Sequence, residues 1–315
     1  MIRTLFVAFA FLLSMLPPGS AHAGVSDYVI SADDAKAMMG QPKVVFWFAG
    51  TEEAFEAGHI PGSVAAFSHD MQYLDDTQKC DGLPMCPDTA AAFVGALGID
   101  NDTMVIAYED GKGVNESGVW FFLKLYGHDN VKIMEGGTSD WKAKGYPLET
   151  GKVQAPAKAT FTASPRTDMI ATAAQVEAAT KDAGIMILDA RHTFEEYTGQ
   201  TLKDGMKNAT EHVTVARGGH VPTAIFSPWT KYAGNKAGVA GKPVFRTEAS
   251  LKKSLLKLEK KGYTADSELI TYCHVGLGRG SFQYMALTLA GVKNVKLYVG
   301  SWSEWGNSSL PVATK

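Results

Sequence analysis

The feature that most constrains the fold is a long internal repeat. Residues 105–141 and 269–305 follow the same pattern without a gap. Identical residues recur 164 positions apart, among them Tyr108 and Tyr272, Gly127 and Gly291, Val131 and Val295, Gly136 and Gly300, and Trp141 and Trp305. A second pair of segments, GHIP at 58–61 and GHVP at 219–222, is offset by 161. Solenoid repeats have periods of roughly 20–50 residues. The offset therefore predicts two homologous domains.

Each repeat alternates short apolar runs with helical patterns. Residues 44–50 and 185–190 are apolar runs of strand length, and residues 104–108 lead into a glycine-containing turn followed by an apolar helix. This alternation is typical of a parallel α/β sheet covered by helices. We expect domains at 24–150 and 166–315, joined by a linker over 151–165 that is rich in small residues and proline.

The first 23 residues resemble a cleavable leader. Arg3 precedes an almost unbroken apolar run over 5–16, and Ala21-His22-Ala23 has the small-x-small pattern of a cleavage site. The run is short for a bilayer span, which needs about 20 residues. We therefore expect an exported protein of a bacterial periplasm, without a membrane anchor. The formal net charge of -3 gives no reason to expect a nucleic-acid partner.

Three cysteines carry further information. Cys80 and Cys86 lie close together in a polar stretch, where an oxidising compartment favours a local disulfide. Cys273 is left unpaired. An unpaired thiol in an exported protein is a liability unless it is buried or used in chemistry.

The residues around Cys273 favour chemistry. Cys273 follows a predicted strand and begins a loop with three glycines that leads into a helix. Ligands of parallel sheets bind at this end of the strands. Backbone N–H groups of such a loop can turn inward and form an anion-binding nest, which favours the thiolate. Arg279 adds a permanent positive charge.

The chain resembles members of the tandem-domain rhodanese family, the thiosulfate and 3-mercaptopyruvate sulfurtransferases. The motifs that carry the resemblance are EAGHIPGSVAAF, LDARHTFEEYTG, GGHVPTAIFSPW, YVGSWSEWGNSSLPV and the Cys273 loop. The resemblance implies two rhodanese-like α/β domains, each with a parallel five-stranded sheet flanked by helices, of which the C-terminal one is catalytic. It implies that Cys273 carries sulfur as a persulfide from a small anionic donor to cyanide, a small thiol or a protein thiol. It also implies a monomer without a cofactor or metal.

The repeat and the resemblance together suggest roles for further residues. Glu109 stands where the second repeat has Cys273, so we expect the first domain to be catalytically inactive and to support the fold or shape the cleft. Arg191 matches the arginine of the family's DAR motif, which implies substrate binding, although an ion pair with Asp189 is an alternative. The remaining predicted substrate-binding residues form the loop itself: His274, Val275, Gly276, Leu277, Gly278 and Arg279.

Two other functions remain open. The loop matches neither the thiosulfate nor the mercaptopyruvate signature of the family, and the spacing from Cys273 to Arg279 is C-x5-R. Cysteine-dependent phosphatases have this spacing, and rhodanese-fold phosphatases and arsenate reductases use such a longer loop. A non-catalytic sulfur carrier or binding module is the third possibility.

Overall fold

A computed structural model describes residues 24–72, 80–202 and 215–315. The predicted leader over 1–23 lies outside the described residues. Within the described part of the chain, no helix combines the length and apolar character needed to cross a bilayer.

The first domain alternates strands and helices. Its strands are β1 (Val29–Ile30), β2 (Val44–Phe48), β3 (Val64–Ala65), β4 (Met104–Tyr108) and β5 (Val131–Met134). Its helices are α1 (Val25–Tyr28), α2 (Ala32–Met38), α3 (Glu52–Ala57), α4 (Pro87–Ala96), α5 (Val114–Leu125) and α6 (Gly137–Ala143), with a 3-10 helix over Ser68–Met71.

The second domain repeats this order. Its strands are β6 (Ile170–Ala171), β7 (Ile185–Asp189), β8 (Ile225–Phe226), β9 (Glu268–Tyr272) and β10 (Val295–Tyr298). Its helices are α7 (Ala173–Ala179), α8 (Phe194–Thr198), α9 (Glu248–Glu259), α10 (Arg279–Leu289) and α11 (Ser301–Trp305), with 3-10 helices over Thr167–Met169 and Trp229–Lys231.

Both sheets are parallel and five-stranded, with equivalent strand orders. The orders are β1-β5-β4-β2-β3 and β6-β10-β9-β7-β8. The predicted fold class is thereby confirmed. The central strands β4 and β9 are buried over most of their length, as expected for a sheet covered on both faces.

The repeat extends to individual hydrogen bonds. Trp141 donates its indole N–H to the Pro147 carbonyl at 2.8 Å, and Trp305 makes the equivalent bond to Pro311 at 2.8 Å. The GHxP histidines, His59 and His220, are both buried and pair with the chain segment that ends each domain. These contacts join the C-terminal end of each domain to its GHxP segment.

The predicted linker contains neither helix nor strand, since α6 ends at Ala143 and the next element begins at Thr167. The domain boundaries at 150 and 166 stay a prediction.

The two domains pack through α5 and α10, the helices that follow the equivalent strands β4 and β9. Ser117 of α5 and Ser281 of α10 are 164 positions apart, and their hydroxyl oxygens are 3.3 Å from each other. Gly118 permits this approach, because a Cβ there would stand 3.0 Å from the Leu277 carbonyl oxygen. The repeats thus meet about a pseudo-twofold axis, which brings their two strand-to-helix loops face to face.

Candidate active site

Cys273 lies at the carboxyl end of β9, in the interface between the domains. It is the free cysteine of the described chain and is 2% exposed. Its amide donates to the Ser301 hydroxyl at 3.2 Å, and its carbonyl accepts from the Trp302 amide at 3.0 Å. The residues that begin α11 therefore fix the backbone at the nucleophile.

In the loop after Cys273, some backbone amides donate to protein groups and do not point into the predicted anion-binding nest. The Leu277 amide donates to the Gln72 side chain at 2.9 Å and to the Val275 carbonyl at 2.7 Å. The Gly278 amide donates to the Ser281 hydroxyl at 2.9 Å. Gly276 has a φ of +67°, and its carbonyl lies 3.9 Å from the sulfur of Cys273. The first domain and α10 thus bind the Leu277 and Gly278 amides, so these two amides do not contribute to the predicted anion-binding nest.

Gln72 of the first domain holds this loop from the opposite side. Its side chain is fully buried, accepts from the Leu277 amide and donates to the Val275 carbonyl. The active-site loop therefore depends on the first domain for its shape.

Cys273 lines a cleft of about 260 Å³ that both domains form. Four residues of the predicted loop line it, namely Cys273, His274, Val275 and Arg279. The lining from the first domain comprises His69, Glu109, Asp110, Lys112, Val114 and Asn115, and Trp229 completes the cleft. Gly276, Leu277 and Gly278 lie outside this lining and are buried. Leu277 and Gly278 contact the first domain, whereas Gly276 lies against Val299 of the second domain.

The two cations that line the cleft, Lys112 and Arg279, differ in their ion pairs. Lys112 forms an ion pair with Asp110. Arg279 begins α10, is partly exposed, and makes no ion pair among the described residues. Arg279 is thus the cation that is available to an anionic ligand beside Cys273.

Carboxylates crowd the first-domain wall of the cleft. Oxygens of Glu109, Asp110 and Glu116 lie within 4.8 Å of one another. Burial raises the pKa of Glu109 to about 7, and the neighbouring charge of Asp110 adds to this effect, while a hydrogen bond from Asn115 opposes it. Burial also raises the pKa of Glu116 well above its ordinary value. Both carboxyl groups therefore hold a proton more tightly than a free carboxyl group does.

Burial disfavours the charged form of both histidines of the cleft. Burial lowers the pKa of His69 to about 3, and the charge of Arg279 lowers it further. Burial also lowers the pKa of His274, although Glu196, with an oxygen 3.7 Å from His274 Nε2, opposes this shift. Arg279 is therefore the positive group of the cleft that burial and pairing leave available.

Comparison with known proteins places this site in a family. The model of the rhodanese-like domain matches residues 31–144 and 172–308. This chain belongs to the rhodanese family. A Mycolicibacterium smegmatis protein provisionally named a thiosulfate sulfurtransferase is 30% identical over 293 residues, 90% of this chain and 95% of the relative. The 3-mercaptopyruvate sulfurtransferase of Escherichia coli is 28% identical, over 81% of this chain and 83% of the relative.

Solved structures share the tandem rhodanese fold. The crystal structure of SseA from Escherichia coli, a 3-mercaptopyruvate sulfurtransferase, superposes with a TM-score of 0.69 at 23% identity, covering 87% of this chain and 98% of SseA. Tum1 from Saccharomyces cerevisiae superposes with a TM-score of 0.70 at 19% identity, covering 91% of this chain and 97% of Tum1.

Arg191 of this rhodanese does not line the cleft, although its motif implied that it binds substrate. It is 1% exposed and lies outside the lining of the cleft. Its guanidinium binds the Asp189 carboxylate at 2.6 Å and the Gly219 carbonyl at 2.6 Å, and it stacks on Trp302. The structure therefore shows the alternative arrangement, an ion pair, and direct contact between Arg191 and a substrate does not fit this position.

Cys80 and Cys86 form a disulfide in the structure, with their Cα atoms 5.3 Å apart. The bond precedes α4 and lies outside the lining of the cleft. It therefore belongs to the framework of the first domain.

The residues that the first domain contributes to the cleft were largely missed. The signal for them was available in the repeat, because residues 109–115 are offset by 164 from 273–279. Equivalent loops that meet about a pseudo-twofold axis must face each other. Gln72 had no such signal, because it lies outside both segments that the repeat aligns.

Proposed function

We propose that this sulfurtransferase moves a sulfane sulfur from a small anionic donor, thiosulfate or 3-mercaptopyruvate, through a persulfide on Cys273 to a thiophilic acceptor such as cyanide or a thiol. One observation carries the proposal: the free thiol of Cys273 lines a cleft together with the guanidinium of Arg279, which forms no ion pair within the described part of the chain. The pairing fits a nucleophile that attacks an anion.

The first half-reaction follows from this pairing. Arg279 holds the donor anion, and the Cys273 thiolate attacks its outer sulfur. With thiosulfate, the bond between the two donor sulfur atoms breaks, its electron pair leaves with sulfite, and a new S–S bond forms on Cys273. The guanidinium stabilises the charge that develops on the leaving group.

In the second half-reaction the acceptor attacks the outer sulfur of the persulfide. The electron pair of the Cys273 S–S bond returns to the cysteine sulfur, and the thiolate is regenerated. No net oxidation occurs, and the protein cycles between two covalent states.

A panel of donors tests the proposal. Thiosulfate and 3-mercaptopyruvate are each assayed with cyanide, using the wild-type protein, Cys273→Ser and a double variant in which Cys80 and Cys86 are both serine. We expect turnover in the wild type and in the double variant, and none in Cys273→Ser. Equal activity in Cys273→Ser and the wild type would refute the role of Cys273.

Phosphatase chemistry is the second candidate, because Arg279 follows Cys273 at the C-x5-R spacing and lines the same cleft. A phosphate cradle needs its loop amides directed at the ligand, whereas the Leu277 and Gly278 amides donate elsewhere. Hydrolysis of an aryl phosphate without sulfur transfer would favour the phosphatase, and a persulfide that forms without multiple turnover would favour a carrier.

We also propose that the mature protein is exported to a bacterial periplasm. The apolar run over 5–16 and the Ala21-His22-Ala23 pattern support this proposal. Mass spectrometry of protein from a fractionated bacterial host tests it: a mature chain that begins at Gly24 in the periplasmic fraction is expected, and a full-length cytoplasmic chain would contradict it.

A further inference from the structure

Glu109 occupies a special place relative to the nucleophile. It stands at the position of Cys273 in the other repeat, and the pseudo-twofold arrangement brings both residues into the lining of one cleft. Asn115, the repeat equivalent of Arg279, donates a hydrogen bond to the Glu109 side chain. Its own side-chain oxygen accepts a hydrogen bond from the Ser68 hydroxyl at 3.4 Å. The carboxyl group is therefore positioned within the cleft.

We propose that Glu109 is a catalytic base that removes the proton from a thiol acceptor before that thiol attacks the Cys273 persulfide. The inference rests on the proposed function and specifies its second half-reaction. It assigns a chemical task to the domain that lacks the nucleophile.

A base in the cleft speeds this step, because the acceptor thiol must lose its proton before it attacks the persulfide. An alkyl thiol is mostly protonated at neutral pH, because the pKa of a cysteine-like thiol is about 8.5. The Glu109 carboxylate takes this proton, and the resulting thiolate forms a bond to the outer sulfur of the persulfide. The Cys273 S–S bond breaks with its electron pair on Cys273, and Glu109 then releases the proton to solvent.

The surroundings of Glu109 suit this task. Burial raises its pKa to about 7, so that at neutral pH a large fraction is ionised while the conjugate acid remains accessible. The titratable and charged groups that share its cleft or its loop are Asp110, Lys112 and Glu116 of the first domain, His69 of the 3-10 helix, and Cys273, His274 and Arg279 of the second domain. Asp110 is paired with Lys112, and the lowered pKa values of His69 and His274 make both of them weaker bases, which leaves Glu109 as the base best matched to neutral pH.

A single-turnover comparison of two acceptors tests the proposal. The protein is loaded with sulfur from thiosulfate, desalted, and mixed with 2-mercaptoethanol or with thionitrobenzoate, an aromatic thiol that is already a thiolate at pH 7. Loading is measured separately by mass, so a failure of the proposed function appears as a lack of persulfide in the wild type. In Glu109→Gln, the rate with 2-mercaptoethanol should fall about 100-fold more than the rate with thionitrobenzoate.

The pH profile gives a readout that a structural role would not change. In the wild type, transfer to 2-mercaptoethanol should rise with pH through about 7, as Glu109 ionises. In Glu109→Gln, the rise should move to the pKa of the thiol itself. Asp88→Asn is the matched control: it removes an exposed carboxylate of the same domain that lies outside the lining of the cleft, and the ratio of the two rates should stay at the wild-type value. Equal slowing of both acceptors in Glu109→Gln, with an unmoved pH profile, would overturn the proposal.

Discussion

Gln72 offers a direct test of how the first domain shapes the active-site loop. In the structure its buried amide binds both the Leu277 N–H and the Val275 carbonyl. Gln72→Met keeps the length of the side chain and removes both bonds. The two backbone groups would then lose their partner from the other domain while staying buried.

The magnitude follows from those two bonds. A buried polar group left without its partner costs about 1–3 kcal/mol. Leu277 N and Val275 O keep their bond to each other at 2.7 Å, so each group falls at the low end of the range. We therefore expect Gln72→Met to lower the free energy of unfolding by about 2 kcal/mol, with a fall in Tm of roughly 4–8 °C. The rate of sulfur transfer should also fall, because the loop loses its clamp.

The assay is urea unfolding followed by fluorescence, alongside single-turnover sulfur transfer. Gln41→Met is the matched control, since Gln41 is exposed and its replacement should change stability by less than about 0.5 kcal/mol. If Gln72→Met were as stable and as active as Gln41→Met, the argument that the first domain holds the loop would be refuted.

Three further predictions concern charge and covalent structure. Arg279→Ala should raise the KM for thiosulfate at least 10-fold, and Arg279→Lys should recover part of the loss, since the cation is retained; an unchanged KM in steady-state assays would contradict the role of Arg279. Arg191→Met should lower the free energy of unfolding by about 3–5 kcal/mol in thermal or urea unfolding, because Asp189 is left as a buried unpaired charge; a raised KM with unchanged stability would instead favour substrate contact. Replacing both Cys80 and Cys86 by serine should cost about 2 kcal/mol of stability, as expected for a short closed loop, and equal melting temperatures of this variant and the wild type would refute that estimate.

The fold could be predicted because the sequence features that indicate it, the repeat and the apolar runs, recur along the chain. The constant offset of 164 aligned β4 with β9 and β5 with β10, and the apolar runs marked β2 and β7. Cys273 was predicted because its loop joins a strand end to a helix, an arrangement that the structure retains.

The details of the site depended on contacts that sequence spacing does not encode. The carbonyl of Gly276 faces the sulfur because the Leu277 amide is taken by Gln72, a residue 205 positions away. Arg191 is drawn to Asp189 because both side chains are buried at the end of the same strand, where an unpaired charge would be costly. The motif resemblance implied that Arg191 binds substrate, because the motif alone does not show that this side chain is buried.

Sulfur transfer through a persulfide requires that Cys273 carries sulfur during turnover. The most direct measurement loads the wild-type protein with thiosulfate labelled in its outer sulfur, locates the label by peptide mass spectrometry, and follows its loss after cyanide is added. We predict one labelled sulfur on the Cys273 peptide, released at least as fast as steady-state turnover. A label that is absent from Cys273, or one that leaves more slowly than product forms, would contradict the claim.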